Sequence, residues 1–193
     1  MTLPPILRDV PESFESERLL IRVPRAGDGV ALQEAIDESI DELRPWMPWA
    51  DEHQTVDVSE EYARRAHSEF MARTNLPLFL FRREDGRFVG GSGLHRIEWS
   101  IPMFEIGYWV RTSLAGHGYA TDAARRIADF AFEVLGAERV EIWCDALNER
   151  SAAVARRAGF ELEATMRRNR RNTAGDLADS LGFVRLREAR PSG

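Results

Sequence analysis

The stretch EIGYWVRTSLAGHGYATDAARRIADF, residues 105–130, decides how this chain is read. It opens on an apolar run, Glu105 to Val110, long enough for one strand. A short glycine-containing loop follows, Ala115-Gly116-His117-Gly118. A helix begins directly after it. Between Gly118 and Leu135 the residues Ala120, Ala124, Ile127, Ala128, Ala131 and Leu135 fall on one stripe. A strand feeding a glycine loop and then a helix start is the outline of an anion site. Glycines let backbone N–H groups crowd around phosphate oxygens, and the helix N-terminus adds partial positive charge. The same residues also suit a plain tight turn, and the loop alone does not choose. Two phosphate motifs are excluded. Thr121 stands where the third glycine of G-x-G-x-x-G belongs, and no Gly-Lys-Ser/Thr occurs here.

Upstream, Arg18 to Val23 (RLLIRV) is a first strand ended by Pro24. Asp28 is placed to cap a helix carrying Leu32, Ala35, Ile36 and Ile40 on one side. In ELRPWMPWA, Pro45 and Pro48 interrupt regular helix and leave Trp46, Met47 and Trp49 between and beside them. Beyond Ser59, Tyr62, Ala66 and Phe70 recur every four residues, with Glu60/Arg64 and Glu61/Arg65 as outward i,i+4 pairs. LPLFLF and RFVGGSGLH flank Asp85-Gly86, a hairpin signal, and MFEIGYWVR supplies the next strand after Pro102. Downstream come a strand at Arg139 to Cys144, a helix at Ser151 to Ala158 closed by Gly159, and a last strand at Ser180 to Leu186. Residues 1–16 read as an irregular arm, and those from Glu188 as a loose tail. The expected class is α/β: a mixed sheet with helices on its faces, in one domain spanning residues 1–193.

Composition narrows the function classes. A length of 193 residues with 44% hydrophobic and 30% charged residues fits one core and an ordinary soluble enzyme. A net charge of -6 argues against general nucleic-acid binding and suits a cationic partner such as an amine. The single Cys144 cannot form an internal disulfide, and the first twenty residues hold no long apolar run. Both point to the cytoplasm, with no signal peptide and no membrane span. No set of His, Cys and Asp has metal-ligand spacing, so no metal is expected.

Four motifs occur in order: Glu105-Ile-Gly-Tyr-Trp109, Gly116-His-Gly-Tyr-Ala-Thr-Asp-Ala123, Asn148-Glu-Arg-Ser151 and Arg157-Ala-Gly-Phe160. Together they resemble the successive core motifs of GNAT acetyltransferases, of the RimJ/RimL type that acetylates ribosomal-protein N-termini. SERLLIRVPRAGD resembles that group's opening strand and LRPWMPW its aromatic substrate-side segment, so the likeness spans about residues 14 to 187. It implies a central, mostly antiparallel sheet splayed between the strands Glu105–Arg111 and Arg139–Cys144. It further implies acetyl-CoA as cosubstrate, a primary amine as acceptor, and a homodimer. In that picture the pantetheine arm pairs with the main chain of Ile106, Gly107, Tyr108, Trp109 and Val110. The pyrophosphate is held by the backbone of Ala115, Gly116, His117, Gly118, Tyr119, Ala120 and Thr121. Asn148 bonds the pantetheine, Ser151 lies close to the sulfur, and the Val110 amide serves as oxyanion donor. Trp46, Met47 and Trp49 by themselves suit the plugging of a core edge, whereas the resemblance implies that they wall the acceptor pocket.

The chain departs from that pattern in two places. Ala115 replaces the usual Gln or Arg opening the loop, where only a backbone N–H is needed. Arg170 occupies the position, about ten residues past Gly159-Phe160, where RimL-type enzymes carry a Glu as base. A substrate α-amine with a pKa of about 7.7–8.0 loses its proton near pH 7 at a cost of only ~1 kcal/mol, against ~4–5 kcal/mol for a lysine at about 10.4. The missing carboxylate therefore favours an N-terminal α-amine over lysine. Small amines, or a CoA-binding module without catalysis, are the alternatives.

Glu105 is a candidate for a water relay or a plain salt-bridge partner, and Ser151 for a proton donor to thiolate or a first-turn hydroxyl beside an Asn148 cap. His95, after GGSGL, either lines the substrate side or ends a strand. His117 acts through its backbone, His53 and His67 read as surface residues, and Cys144 as a small core residue. Arg157 and Arg156 are candidates for phosphate contact. Arg167, Arg168, Arg170 and Arg171 read either as a solvated loop or as a cluster reaching an acidic peptide, ribosomal RNA or the CoA 3′-phosphate.

Overall fold

The chain hydrogen-bonds eight strands into one sheet, described over residues 3–51 and 55–188 of a computed structural model. β1 (Ser13–Glu15), β2 (Leu19–Arg22), β3 (Leu76–Arg82), β4 (Phe88–Glu98) and β5 (Met103–Val110) lie side by side in chain order, each antiparallel to the last. β6 (Arg139–Asp145) joins β5 in parallel, β8 (Leu177–Leu186) pairs antiparallel with β6, and β7 (Glu161–Arg171) closes the far edge. The parallel pairing lasts only from Met103↔Arg139 to Glu105↔Glu141, after which the two strands part.

Helices cover both faces. α1 (Gly29–Leu43) and α2 (Val56–Ala72) pack Leu32, Ile36 and Ala63 against Phe79 and Phe88. α3 (Tyr119–Phe130) and α4 (Glu149–Arg157) bury Ala124, Ile127 and Ala155 against Leu78, Leu80 and Ile106. β3 is thus buried on both sides, which is why LPLFLF shows no polar alternation. Among the described residues no helix is long and apolar enough to cross a membrane.

Four local expectations change. The arm at residues 1–16 contains a 3-10 turn at Pro5–Leu7 and the strand β1, because Phe14 stacks on Phe130 with ring centroids 4.1 Å apart. Asp28 does not cap α1: its carboxylate takes the Arg22 guanidinium and the Arg25 N–H. Glu60 of α2 accepts the N–H groups of Gly27 and Gly29 in its place. A Cβ on Gly29 would stand 2.6 Å from the Glu60 backbone nitrogen, so glycine lets the helices meet this closely. The helix expected to run to Leu135 is α-helical to Phe130 and continues as a wider π turn over Ala131–Leu135. The arginine-rich segment expected to be a loop is the edge strand β7. His53 lies outside the described residues.

Candidate functional site

The parting of β5 from β6 creates the site. Arg111 N–H donates to Val89 C=O on the β4 side. Alternation along the strand then turns the main-chain groups of Trp109 and Gly107 toward β4, and those of Tyr108 and Val110 into the open seam.

A cavity of about 990 Å³ runs along this seam to the glycine loop. Val110, Ala115, Gly116, Gly118, Tyr119, Ala120 and Thr121 line one side, and Asn148, Ser151 and Arg157 of the α4 region the other. Gly116 and Gly118 hold φ values of 79° and 82°, a left-handed conformation that favours glycine. Ala115 N–H closes a turn onto Thr112 C=O. The first helical bond of α3 is Asp122 N–H to Gly118 C=O, which leaves the amides from Gly118 to Thr121 at the helix mouth. The buried Thr121 Oγ1 has no hydrogen-bond partner in the protein. Free amides, a helix start and an orphaned hydroxyl form a cradle for a phosphate-type anion.

Neighbouring elements hold the loop from outside. Arg18 Nη1 donates to His117 C=O at 2.8 Å. Glu38 of α1 accepts from Arg111 and from Ser113 N–H, the latter at 2.6 Å, while Ser39 Oγ accepts Thr112 N–H at 2.9 Å. The Arg111 guanidinium lowers the Glu38 carboxyl to about 2.

A second cavity of about 500 Å³ opens on the α1/α2 side of the sheet. Trp49, Tyr62, Phe79 and Trp109 give it aromatic walls, and Glu61, Arg65, Ser92 and His95 give it polar ones. Trp49 and Trp109 approach with centroids 5.8 Å apart. Met47, Tyr108 and Trp109 line both cavities, so the two spaces meet at the seam. Trp46 lies on the larger cavity, apart from Trp49 and His95. The order of Trp46, Met47 and Trp49 along the chain does not reveal this division.

At the junction the Tyr108 hydroxyl donates to Ser151 C=O at 3.0 Å and lies 3.0 Å from Ser151 Oγ. Burial pushes the Tyr108 phenol up to about 12. Asn148 caps α4, its Oδ1 accepting Ser151 N–H at 2.9 Å, which leaves the side-chain NH2 as its donor. Cys144 is half-buried, its thiol pushed up by burial. Glu105 sits at the last paired residue of the parallel ladder, off both cavity walls, with Arg96 Nε 3.5 Å from its carboxylate. Burial pushes its carboxyl up from the ordinary carboxylate range. Arg156 stacks over Phe183 rather than facing the loop. Arg170 reaches the carboxylate of the buried Asp145 and Ser180 Oγ. No sequence motif singles out the Tyr108 hydroxyl, the Thr121 hydroxyl or Asn75, whose amide oxygen lies 2.8 Å from His95 Nδ1. Among the described residues no group of three or more His, Cys, Asp or Glu is placed to hold a metal ion.

Comparison with known proteins identifies the family and the fold. Residues 18–161 match the family described as "Acetyltransferase (GNAT) domain". YdaF of Bacillus subtilis (strain 168), whose assigned name is that of a ribosomal N-acetyltransferase, is 30% identical over 79% of this chain and 82% of its own. The microcin C7 self-immunity acetyltransferase MccE, solved with acetyl-CoA and AMP, superposes with a TM-score of 0.81 at 20% identity, covering 89% of this chain and 93% of that one. The ribosomal L7/L12 alpha-N-protein acetyltransferase RimL, solved with CoA, gives 0.81 at 21% identity, covering 92% and 97%. At such identity the two structures speak for the fold.

Proposed function

The chain belongs to the GNAT acetyltransferase family, and from that premise we propose that it moves the acetyl group of acetyl-CoA to the N-terminal α-amine of a protein or peptide. The observation that carries this reading is the shared wall at Met47, Tyr108 and Trp109, where a long anion-tipped cavity meets a short aromatic one. Such a junction suits direct transfer within a ternary complex, the donor entering from one face of the sheet and the acceptor from the other. The names of YdaF and RimL support a ribosomal-protein terminus as the acceptor class.

Acetyl-CoA supplies the activated thioester carbonyl. The protein's part is to hold it and to manage charge. The amides of Gly118 to Thr121, with the Thr121 hydroxyl, suit the diphosphate, and Arg157 adds a cation at the same cavity. The chain contains no lysine, so every phosphate contact falls to main chain, hydroxyl or arginine. Main-chain groups of Tyr108 and Val110 suit the amide-rich pantetheine, together with the Asn148 NH2. The Val110 N–H, preorganised on a strand, stabilises negative charge that develops on the carbonyl oxygen. Ser151, hydrogen-bonded to Tyr108, is the proton donor to the departing sulfur.

Calorimetric titration with acetyl-CoA, followed by a thiol-release assay across N-terminal peptides and small amines, tests the reading. Saturable binding with turnover on peptides supports it. Turnover on small amines alone replaces the acceptor, and no binding at millimolar acetyl-CoA overturns the whole. Absence of lysine from the chain keeps the mass-spectrometric background clear of self-acetylated lysine.

A further inference from the structure

His95 stands near the end of the regular ladder of β4, opposite Glu105. The register breaks between His95 and Glu98, and Arg96 holds φ at 45°, so the strand kinks just past the ring. Bulges of this kind re-aim side chains beside active sites. The ring lies against two glycines. A Cβ on Gly93 would come within 3.0 Å of its Cε1, and one on Gly107 within 3.4 Å of its Nε2. Glycine at both positions gives the imidazole its place on the acceptor cavity, whose other walls include Trp109 and Tyr108.

Two hydrogen bonds determine which nitrogen carries the proton. Asn75 Nδ2 donates to Glu69 Oε2 at 3.1 Å, since an ionised carboxylate only accepts. The Asn75 amide oxygen is thereby turned to His95, 2.8 Å from Nδ1, and a carbonyl oxygen also only accepts. Nδ1 must hold the hydrogen. Burial pushes the imidazole below its ordinary value and keeps it neutral, so Nε2 is left as a lone pair.

We propose that His95 is the general base of the transfer, with Asn75 and Glu69 as positioning residues that fix its Nδ1–H tautomer. The inference rests on the acetyl transfer proposed above and supplies the base that Arg170 cannot. As the amine nitrogen bonds to the thioester carbon, its N–H proton passes to Nε2. As the C–S bond breaks, the sulfur takes the electron pair and a proton from Ser151, which recovers one from solvent as His95 releases its own to solvent, so the protons balance. The charges that act on the ring are Glu69 of α2 and Arg96 of β4; Glu61, Tyr62 and Arg65 of α2 line the same cavity, and Glu105 of β5 is the cross-strand partner. Glu69 favours the charged imidazole and Arg96 opposes it, while burial outweighs both.

The test uses an N-terminal peptide as acceptor. His95→Gln and His95→Ala should lower kcat by about 10²-fold or more, the range of a positioned base, with acetyl-CoA affinity unchanged within about twofold. In the wild type, log kcat/KM should fall with a slope of one below the amine's value and steepen to two only at a pH below the ordinary histidine value, where the lowered imidazole also gains its proton. In His95→Gln the slope should stay at one. Added imidazole should restore part of the His95→Ala rate, which a purely structural histidine would not show. Nitrogen NMR of the wild type should find one neutral Nδ1–H histidine that changes tautomer in Asn75→Ala. Turnover of His95→Gln within threefold of wild type, or an Nε2–H tautomer in the wild type, overturns His95 as base and leaves the transfer standing. A wild type that binds no acetyl-CoA removes both.

Discussion

The larger cavity ends on a run of main-chain amides, whereas the smaller one is walled by aromatic side chains. Along the larger cavity the phosphate cradle is four consecutive amides from Gly118 to Thr121, and the seam offers Tyr108 and Val110 through their backbones. The smaller cavity gathers Trp49, Tyr62, Phe79, His95 and Trp109 from five separate segments. A cradle of amides depends on φ and ψ and tolerates exchange of side chains. A wall of aromatic rings depends on residue identity and can be retuned to another acceptor while the donor end is kept. Breaking the backbone should therefore damage the donor side alone, and trimming rings the acceptor side alone.

The largest effect is expected at Gly118. Its φ of 82° strains any β-branched residue, and Arg18 Nη2 stands 3.3 Å from where a Cβ would sit. Gly118→Val should cost about 2 kcal/mol at the loop and weaken acetyl-CoA roughly thirtyfold by calorimetry. The KM for the acceptor should stay within twofold. Equal damage to both would merge the two cavities into one cooperative unit.

Next comes the support behind the loop. Glu38 ties α1 to Arg111 and to Ser113 N–H, and Glu38→Gln should lower the unfolding free energy by about 2 kcal/mol in denaturant titration at pH 7. The pH dependence has a definite sign. The folded carboxyl is lowered from 4.5 to about 2, so its contribution is complete above about pH 4.5 and is lost as pH falls toward 2. Glu38→Gln should flatten that acid limb. A variant as acid-sensitive as the wild type would move the effect to other carboxylates.

On the acceptor side, Trp49→Ala removes one exposed ring from the wall beside Trp109. Losing one partly buried aromatic contact of about 1 kcal/mol predicts a fivefold rise in acceptor KM with acetyl-CoA affinity unchanged. A changed acetyl-CoA affinity would place Trp49 on the donor path with Trp46.

The same division explains what the sequence disclosed. Strand, glycine loop and helix of residues 105–130 follow one another in the chain, so local pattern exposes the donor side. Contacts across long separations stay hidden. Glu60 replaces Asp28 at the start of α1 from 31 residues beyond Gly29, and Phe14 of β1 packs on Phe130 of α3, far along the chain. β7 was obscured because nearly all of it is exposed, so it lacks the alternation that marks a half-buried strand. His95 was visible as a candidate, but its orientation needs Asn75 and Glu69 from other elements.

The smallest expected effect concerns Arg170 of the edge strand β7. Its guanidinium bonds Asp145, whose other oxygen accepts Leu147 N–H at 2.8 Å in the turn leading to Asn148 and Ser151. Arg170 thus acts on the site through that turn, on the far side of β6 from the acceptor cavity's histidine. Arg170→Gln would leave the buried Asp145 without its cation, at a cost of about 1–2 kcal/mol of stability, while kcat should fall no more than about twofold. A fall as large as that of His95→Gln would make Arg170 part of the chemistry. A small one leaves Arg170 as a residue that holds the turn before Asn148 through Asp145.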